Sequence, residues 1–244
     1  MNSPLRKSEI IRQLELRIVG GEFAAGEKLP SERELAEEYG VGRPVIREGL
    51  SGLVASGLVD IQVGRGTFVR GISVDVLSKS LNRVAARTGI TTRHLVEARL
   101  MIEVAAARHA AMASQRTMEE LEEVLLRHEE AQSMVDRAST DLQFHEAIAA
   151  ASGNPVITLM FGSIRAQVYS LMLRSHSDPQ VRAVGDPHHR KITEAIRIGD
   201  ADLAGTLMAD HLRLALSLFG EDVDRPISEM LENRGISGAP LLEF

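Results

Sequence analysis

The sequence predicts a mostly α-helical chain in two parts: three helices closed by a β-hairpin, then an antiparallel bundle of six to seven helices. Three observations carry this. Ser31 and Glu34 make a capping box, and Gly40 ends the helix that the box begins. Residues 58–70, "LVDIQVGRGTFVR", are two β-rich runs around a glycine turn. From Ser73 to Gly220 the apolar residues keep helical spacing between glycine, proline and serine breaks, and no convincing strand intervenes.

In chain order, Leu5, Ile10, Ile11, Leu14 and Ile18 recur near helical spacing, and Gly20-Gly21 stops that helix. "AAGEKLP" (24–30) reads as a loop. The capped helix runs through about Tyr39. After Val41-Gly42 a third helix carries Pro44 in its first turn, where the missing N–H costs nothing. It runs to Ser56, and Gly57 ends it. In the second part breaks are expected at 88–89, 114–117, 152–155, 177–179, 185–187 and 199–200. The tail after Gly220 contains Pro226, Gly235, Gly238 and Pro240 and is expected to be mobile or peripheral. The domain boundaries that follow are 1–70, a linker at 71–74, 75–221, and a tail at 222–244.

The chain has 244 residues, 44% of them hydrophobic, with a mean hydropathy of -0.04, enough to bury a core. Charged side chains interrupt every apolar run before 18 residues, so no membrane span is expected. The N-terminus "MNSPLRKSEIIRQLELRIV" carries charge where a signal peptide needs its apolar region. Both points predict a cytoplasmic protein. With no cysteine, thiolate chemistry and cysteine-ligated zinc are excluded, and any metal must be held by His, Asp and Glu. Net charge is -6. The first 70 residues hold ten of the 28 Lys+Arg and ten of the 34 Asp+Glu, so the acid surplus lies wholly beyond them. A nucleic-acid partner therefore needs a local patch, and Arg43, Arg47, Arg65 and Arg70 against Glu48 and Asp60 supply a small one.

Two helices around a tight turn, with a two-stranded wing just after, make a winged helix-turn-helix. Its second helix enters the major groove, and side chains near that helix's N-terminus meet bases and phosphates. Arg43 and Arg47 are i and i+4 and leave one face at that end. A guanidinium grips guanine O6 and N7 bidentately. Arg33 in the preceding helix can reach the backbone or an adjacent base. Gly64 and Gly66 let the wing come close to DNA, with no Cβ in the way. The competing reading is a plain helical hairpin with solvated arginines, which leaves "GRGTFV" without a purpose.

The stretch "LPSERELAEEYGVGRPVIREGLSGLVASGLVDIQVGRGTFV" resembles the DNA-binding domain of the GntR family of bacterial transcription regulators, over nearly all of residues 8–70. The resemblance implies operator contacts by Arg33, Arg43, Arg47 and Gly66. Gly42 and Pro44 depart from the usual residues, which bears on base preference. Gly49 stands where Ala is usual, at a cost to the helix of up to about 1 kcal/mol.

In the second part several polar residues fall on faces that should be core. Asp141 and His145 are i and i+4 in "DLQFHEAIAAASGN". His211 lies on the stripe of Leu203, Leu207, Leu214 and Leu218. His188 and His189 both flank the Ile192/Ile196 face, and Arg99 aligns with Leu95, Ile102 and Ala106. Buried polar groups must be paired or ligated. If Gly199-Asp200 turns an antiparallel hairpin, His189 and His211 both stand about 15 Å from it and can converge. With Asp141 and His145 they make an N3O set suited to zinc or another first-row divalent ion such as nickel or manganese.

The segments "VEARLMIEVAAARHAA", "DLQFHEAIAAASGNP" and "HHRKITEAI" resemble the FCD ligand-binding domain of the FadR subfamily within GntR. That resemblance implies a divalent metal on Asp141, His145, His189 and His211, and it selects His189 where helix phase leaves His188 open. It also assigns Arg99 to a ligand carboxylate, which a guanidinium holds bidentately; otherwise Arg99 pairs with Glu103 or another acid. Arg165 is a second candidate for the pocket. The expectation is then a repressor, not an enzyme: a homodimer on a palindromic operator, controlled by a small carboxylate or sugar acid at the metal. Two other readings use the same residues. One is a metal-dependent enzyme, against which no general base stands beside the ligands. The other is a repressor that senses the metal itself.

Overall fold

The computed structural model describes residues 7–71, 78, 81, 84, 85, 87–113 and 118–236. Leu5, the linker at 71–74 beyond Gly71, and the break at 114–117 lie outside the described residues, as do Gly238 and Pro240 of the tail. The chain divides into two compact units, Met1–Val76 and Leu77–Phe244.

The first unit contains α1 (Lys7–Val19), α2 (Glu32–Tyr39), α3 (Arg43–Ala55), β1 (Val59–Gln62) and β2 (Gly66–Val69). Both halves of the Ser31/Glu34 capping box form, and Gly40 ends α2 in the left-handed region at φ 64°, where a Cβ would be strained. β1 and β2 pair antiparallel from Val59↔Val69 to Gln62↔Gly66. Ile10, Leu14, Leu35, Ile46, Leu50, Leu53, Val59 and Val69 are in the core, and α1 contributes the face its spacing predicts. Residues 24–30 are more than the expected loop. Lys28 bridges Phe68, Leu29 N–H donates to Thr67 O at 2.8 Å, and Val69 N–H donates to Glu27 O at 2.8 Å. The free edge of β2 has backbone groups to satisfy, and this segment satisfies them.

The second unit contains α4 (Thr92–Met112), α5 (Met118–Glu130), α6 (Met134–Ala151), α7 (Pro155–His176), α8 (Pro179–Arg197) and α9 (Ala201–Leu218). A 3-10 turn (Gly220–Val223) and α10 (Ile227–Asn233) follow. Two expectations are corrected here. First, α8 passes through Gly185-Asp186-Pro187 without a break. Pro187 forgoes one hydrogen bond, while burial of Val181, His189, Ile192 and Ile196 holds the helix on the bundle. Second, the tail is not peripheral up to residue 236: Ile227, Met230 and Leu231 are buried in the core beside Phe161 and Leu171. Helix α7 is long and apolar enough by length and composition to cross a membrane, although Arg165 and Arg174 interrupt it as expected. Its Phe161, Val168, Leu171, Met172 and Leu173 are buried against Leu95, Ile102 and Leu142, so its apolar character is that of a core helix.

The bundle has two apolar clusters. One gathers Leu95, Val96, Ile102, Val168, Met172, Val181 and Phe219, and the other Ala106, Ala110, Phe144, Ile148, Ile192, Met208 and Leu212. Along α4, α8 and α9 the polar side chains Arg99, Glu103, His189 and His211 fall where a helix passes from one cluster to the other. Burial on both sides gives that polar layer a defined place.

Candidate functional site

The residues expected at the operator lie on α2, α3 and the hairpin. Arg47 is exposed and forks onto Glu32, with Nε and Nη2 donating at 2.9 and 2.7 Å. Arg33 pairs with Glu37 at 3.2 Å, and both are exposed. Arg43 is exposed at the first turn of α3. Such surface pairs are worth little, so a phosphate or base edge can compete for either guanidinium. Gly66 has φ 121°, and a Cβ there would lie 2.5 Å from Cε of Lys28. Lys28 thus lies across the wing. Nothing marked it in the sequence, because the pairing of residues 24–30 with β2 places it there. Arg65 lies over the Phe68 ring, 5.6 Å from its centroid.

In the second unit Asp141, His145, His189 and His211 converge, with one ligand atom from each within 4.8 Å of all the others. Nε2 of His145 and of His189 stand 3.3 and 3.1 Å from Asp141 Oδ1. Nε2 of His211 is 3.3 Å from Nε2 of His145. A tetrahedral ion with bonds of 2.0–2.1 Å spaces its ligands about 3.3–3.4 Å apart, so the separations suit a first-row divalent ion. Asp141 Oδ1 and both nitrogens of His189 are buried without hydrogen-bond partners, the condition a cation relieves.

The surrounding groups orient this set. Glu103 accepts a hydrogen bond from His145 Nδ1, which leaves the Nε2 lone pair for a ligand, as carboxylate–histidine–metal arrangements do. His176, at the end of α7, donates from Nε2 to Asp141 Oδ2 at 2.9 Å and leaves Oδ1 for the ion. His176 went unnoticed in the sequence because it sits in a helix's last turn, before the Ser177–Pro179 break. Burial alone would raise the Glu103 carboxyl, but the charges of Arg99 and His145 bring it from the ordinary 4.5 down to about 2. Burial would raise Asp141 too, yet its histidine neighbours hold it well below the carboxylate range. Burial pushes His189 down and His211 well down, which keeps their imidazoles neutral and their lone pairs available. Burial opposes charge on His145 as well, but the Glu103 carboxylate outweighs it and raises this ring.

Arg99 reaches the same place. Its Nε donates to Glu103 at 2.5 Å, and its Nη2 lies 3.4 Å from the His145 ring nitrogens. The Glu103 pairing that competes with ligand binding is therefore made, while Arg99 still lines a cavity of about 50 Å³ with Asp141, His145, His176, His189 and His211. The structure does not bring Arg165 to this cavity. Its Nε donates to Glu146 at 2.9 Å, on the α6–α7 contact. His188 lines neither this cavity nor the four-residue set, so the choice between the adjacent histidines falls on His189.

The family profile "Bacterial regulatory proteins, gntR family" matches residues 6–69, and the "FCD domain" profile matches residues 94–214. The HTH-type transcriptional repressor NanR of Enterobacter sp. (strain 638) is 34% identical over 216 residues, covering 82% of this chain and 80% of the relative. The chain is a GntR-family transcription regulator. Its domain pair is that of the FadR subfamily, and a family of DNA-binding regulators sets aside the enzyme reading. HTH-type transcriptional regulator Mce2R of Mycobacterium tuberculosis is also 34% identical, over 85% of this chain and 88% of the relative. Among solved structures, Streptococcus agalactiae GntR superposes with a TM-score of 0.70 at 28% identity, covering 87% of this regulator and all of that chain.

Proposed function

We propose that this GntR-family regulator is a cytoplasmic repressor that binds a palindromic operator as a homodimer and releases it in response to a small carboxylate metabolite. The observation that carries the reading is the convergence of Asp141, His145, His189 and His211 within 4.8 Å, beside Arg99. These four residues would hold a first-row divalent ion, zinc foremost, which supplies a Lewis-acid position for an oxyanion. Arg33, Arg43, Arg47 and Gly66 meet the operator, and Arg47 exchanges Glu32 for DNA.

Arg99 is the second anchor for the metabolite. A cavity of about 50 Å³ has room for one or two waters at about 30 Å³ each, so a hydroxy acid or sugar acid must displace side chains. The arriving carboxylate competes with Glu103 for the guanidinium, and the rearranged Arg99–Glu103–His145 line distinguishes the liganded bundle from the free one. Operator affinity changes by the coupling between the two states, and the linker at 71–74 transmits it.

His145→Ala tests this. The variant is expected to lose the ion that the wild type keeps through gel filtration. It should also lose its response to a panel of hydroxy and sugar acids, while binding operator DNA in fluorescence anisotropy as the metal-free wild type does. Retention of the ion at wild-type affinity would sink the site assignment. Titrating metal and acids separately distinguishes a metabolite signal from a metal signal.

A further inference from the structure

Beside the four-residue set lies a second group of donors. His128 of α5, with Asp186 and His189 of α8, brings one ligand atom from each within 4.8 Å of the others. Hydrogen bonding decides the tautomer of His128. The Thr140 hydroxyl directs its own hydrogen to the backbone carbonyls of Asp136 and Arg137, at 2.9 and 3.1 Å. With that hydrogen on either carbonyl, the hydroxyl accepts from His128 Nδ1, 3.0 Å away. In this arrangement Nδ1 carries the proton, and Nε2 of the neutral ring carries a lone pair.

That Nε2 is buried without a hydrogen-bond partner and faces Asp186 Oδ1 at 3.7 Å. Burial opposes charge on His128, but the Asp186 and Asp141 carboxylates outweigh it and raise the ring; at 3.7 Å the pair is longer than a charged hydrogen bond, and a cation at Nε2 would take the place of that proton. Arg137 meets the other oxygen of Asp186, Oδ2, at 3.4 Å, leaving Oδ1 turned to the imidazole. A buried lone pair without a partner, facing the oxygen of a half-buried carboxylate, leaves a place for a cation between them. Thr140 orients His128 as Glu103 orients His145. His128 and Asp186 also line a cleft of about 840 Å³, together with Glu129, Arg190 and Glu194, which gives an ion a way in.

We propose that His128, Asp186 and His189 form a second, outer site for a first-row divalent cation, reached from this cleft. It has two nitrogens and one oxygen, with the charge of Arg137 close by, so it binds more weakly than the inner set of four. It shares His189 with the metal centre proposed above, and a neutral imidazole offers one lone pair, so His189 serves one ion at a time and the experiment separates the two.

The full chain is stripped of metal in a His145→Ala/His211→Ala background, which removes two inner donors and none of the outer ones. Cobalt(II) titration, followed by visible absorption and elemental analysis, should show one equivalent bound. Adding Asp186→Asn, or separately His128→Phe, should weaken that binding by at least about 10-fold. Asp186→Asn is nearly isosteric at a partly exposed position and carries the test if circular dichroism shows His128→Phe unfolded. No cobalt in the double variant, or binding indifferent to both substitutions, overturns the outer site. The wild type is titrated in parallel. If it binds cobalt and the double variant does not, the inner centre stands and the outer site falls. If its only cobalt is lost with Asp186→Asn, the inner centre falls and the outer site stands.

Discussion

Arg99 and Glu103 meet one helical turn apart, both almost fully buried, and Glu103 is shared with His145. Removing one partner of a buried pair leaves an uncompensated charge, at a cost of about 3–5 kcal/mol. Glu103→Gln is expected to destabilise the metal-free protein by about that much near pH 7, measured by urea unfolding. The carboxyl is held below its unfolded value, at about 2, so its contribution is complete above about pH 4.5 and is lost as pH falls toward 2. The variant's stability should fall less than the wild type's over that interval; parallel profiles would show that Glu103 is not the group responsible. At this scale the sequence exposed chemical types and missed partners. Asp141 and His145 stand out by their i, i+4 spacing, but His128 and His176 draw attention only once α5 and α7 are packed beside α6 and α8.

Helix α3 carries Arg43 and Arg47, proposed above to read the operator, and is weakened by a glycine at 49. An added Cβ there would lie 3.4 Å from Ile11 Cγ1, an ordinary packing distance. Gly49→Ala should therefore stabilise the first unit by about 0.5–1 kcal/mol, read from chemical denaturation, with operator affinity unchanged. A loss of stability would show that α1 and α3 cannot accept the methyl. Element boundaries were legible wherever a local side chain or a φ requirement decides them, as with the Ser31/Glu34 box, Gly40 and the break at 177–179 before α8. They were illegible where tertiary burial overrides a local signal. Gly185-Asp186-Pro187 reads as a break and is helical, and 24–30 reads as a loop and pairs with β2.

Across the second unit, the segment after α9 folds back onto α7. Asp222 accepts hydrogen bonds from Arg174 Nε at 2.8 Å and Arg234 Nη2 at 2.8 Å, and the Arg174 guanidinium lies 4.4 Å from the Phe219 ring centroid. Arg174 is buried, so Asp222→Ala leaves its charge without its closest carboxylate. The expected cost is about 3 kcal/mol, a fall in calorimetric midpoint of roughly 6–12 °C. A fall of less than about 2 °C would mean that the returning segment adds little to the bundle. The same segment buries Ile227, Met230 and Leu231, which its proline and glycine content concealed.

Taken alone, the sequence determined the helical class, the wing and the family, and it selected Asp141, His145 and the paired candidates His188 and His189. Those follow from relations within a few residues: caps, turns, periodicity, and polar side chains on apolar faces. The tertiary structure alone decided which polar groups meet. Only packing fixes how helices far apart in the chain are rotated toward one another. That rotation turned His189 inward, set Glu103 against His145, took Arg165 to Glu146, and placed His128 opposite Asp186.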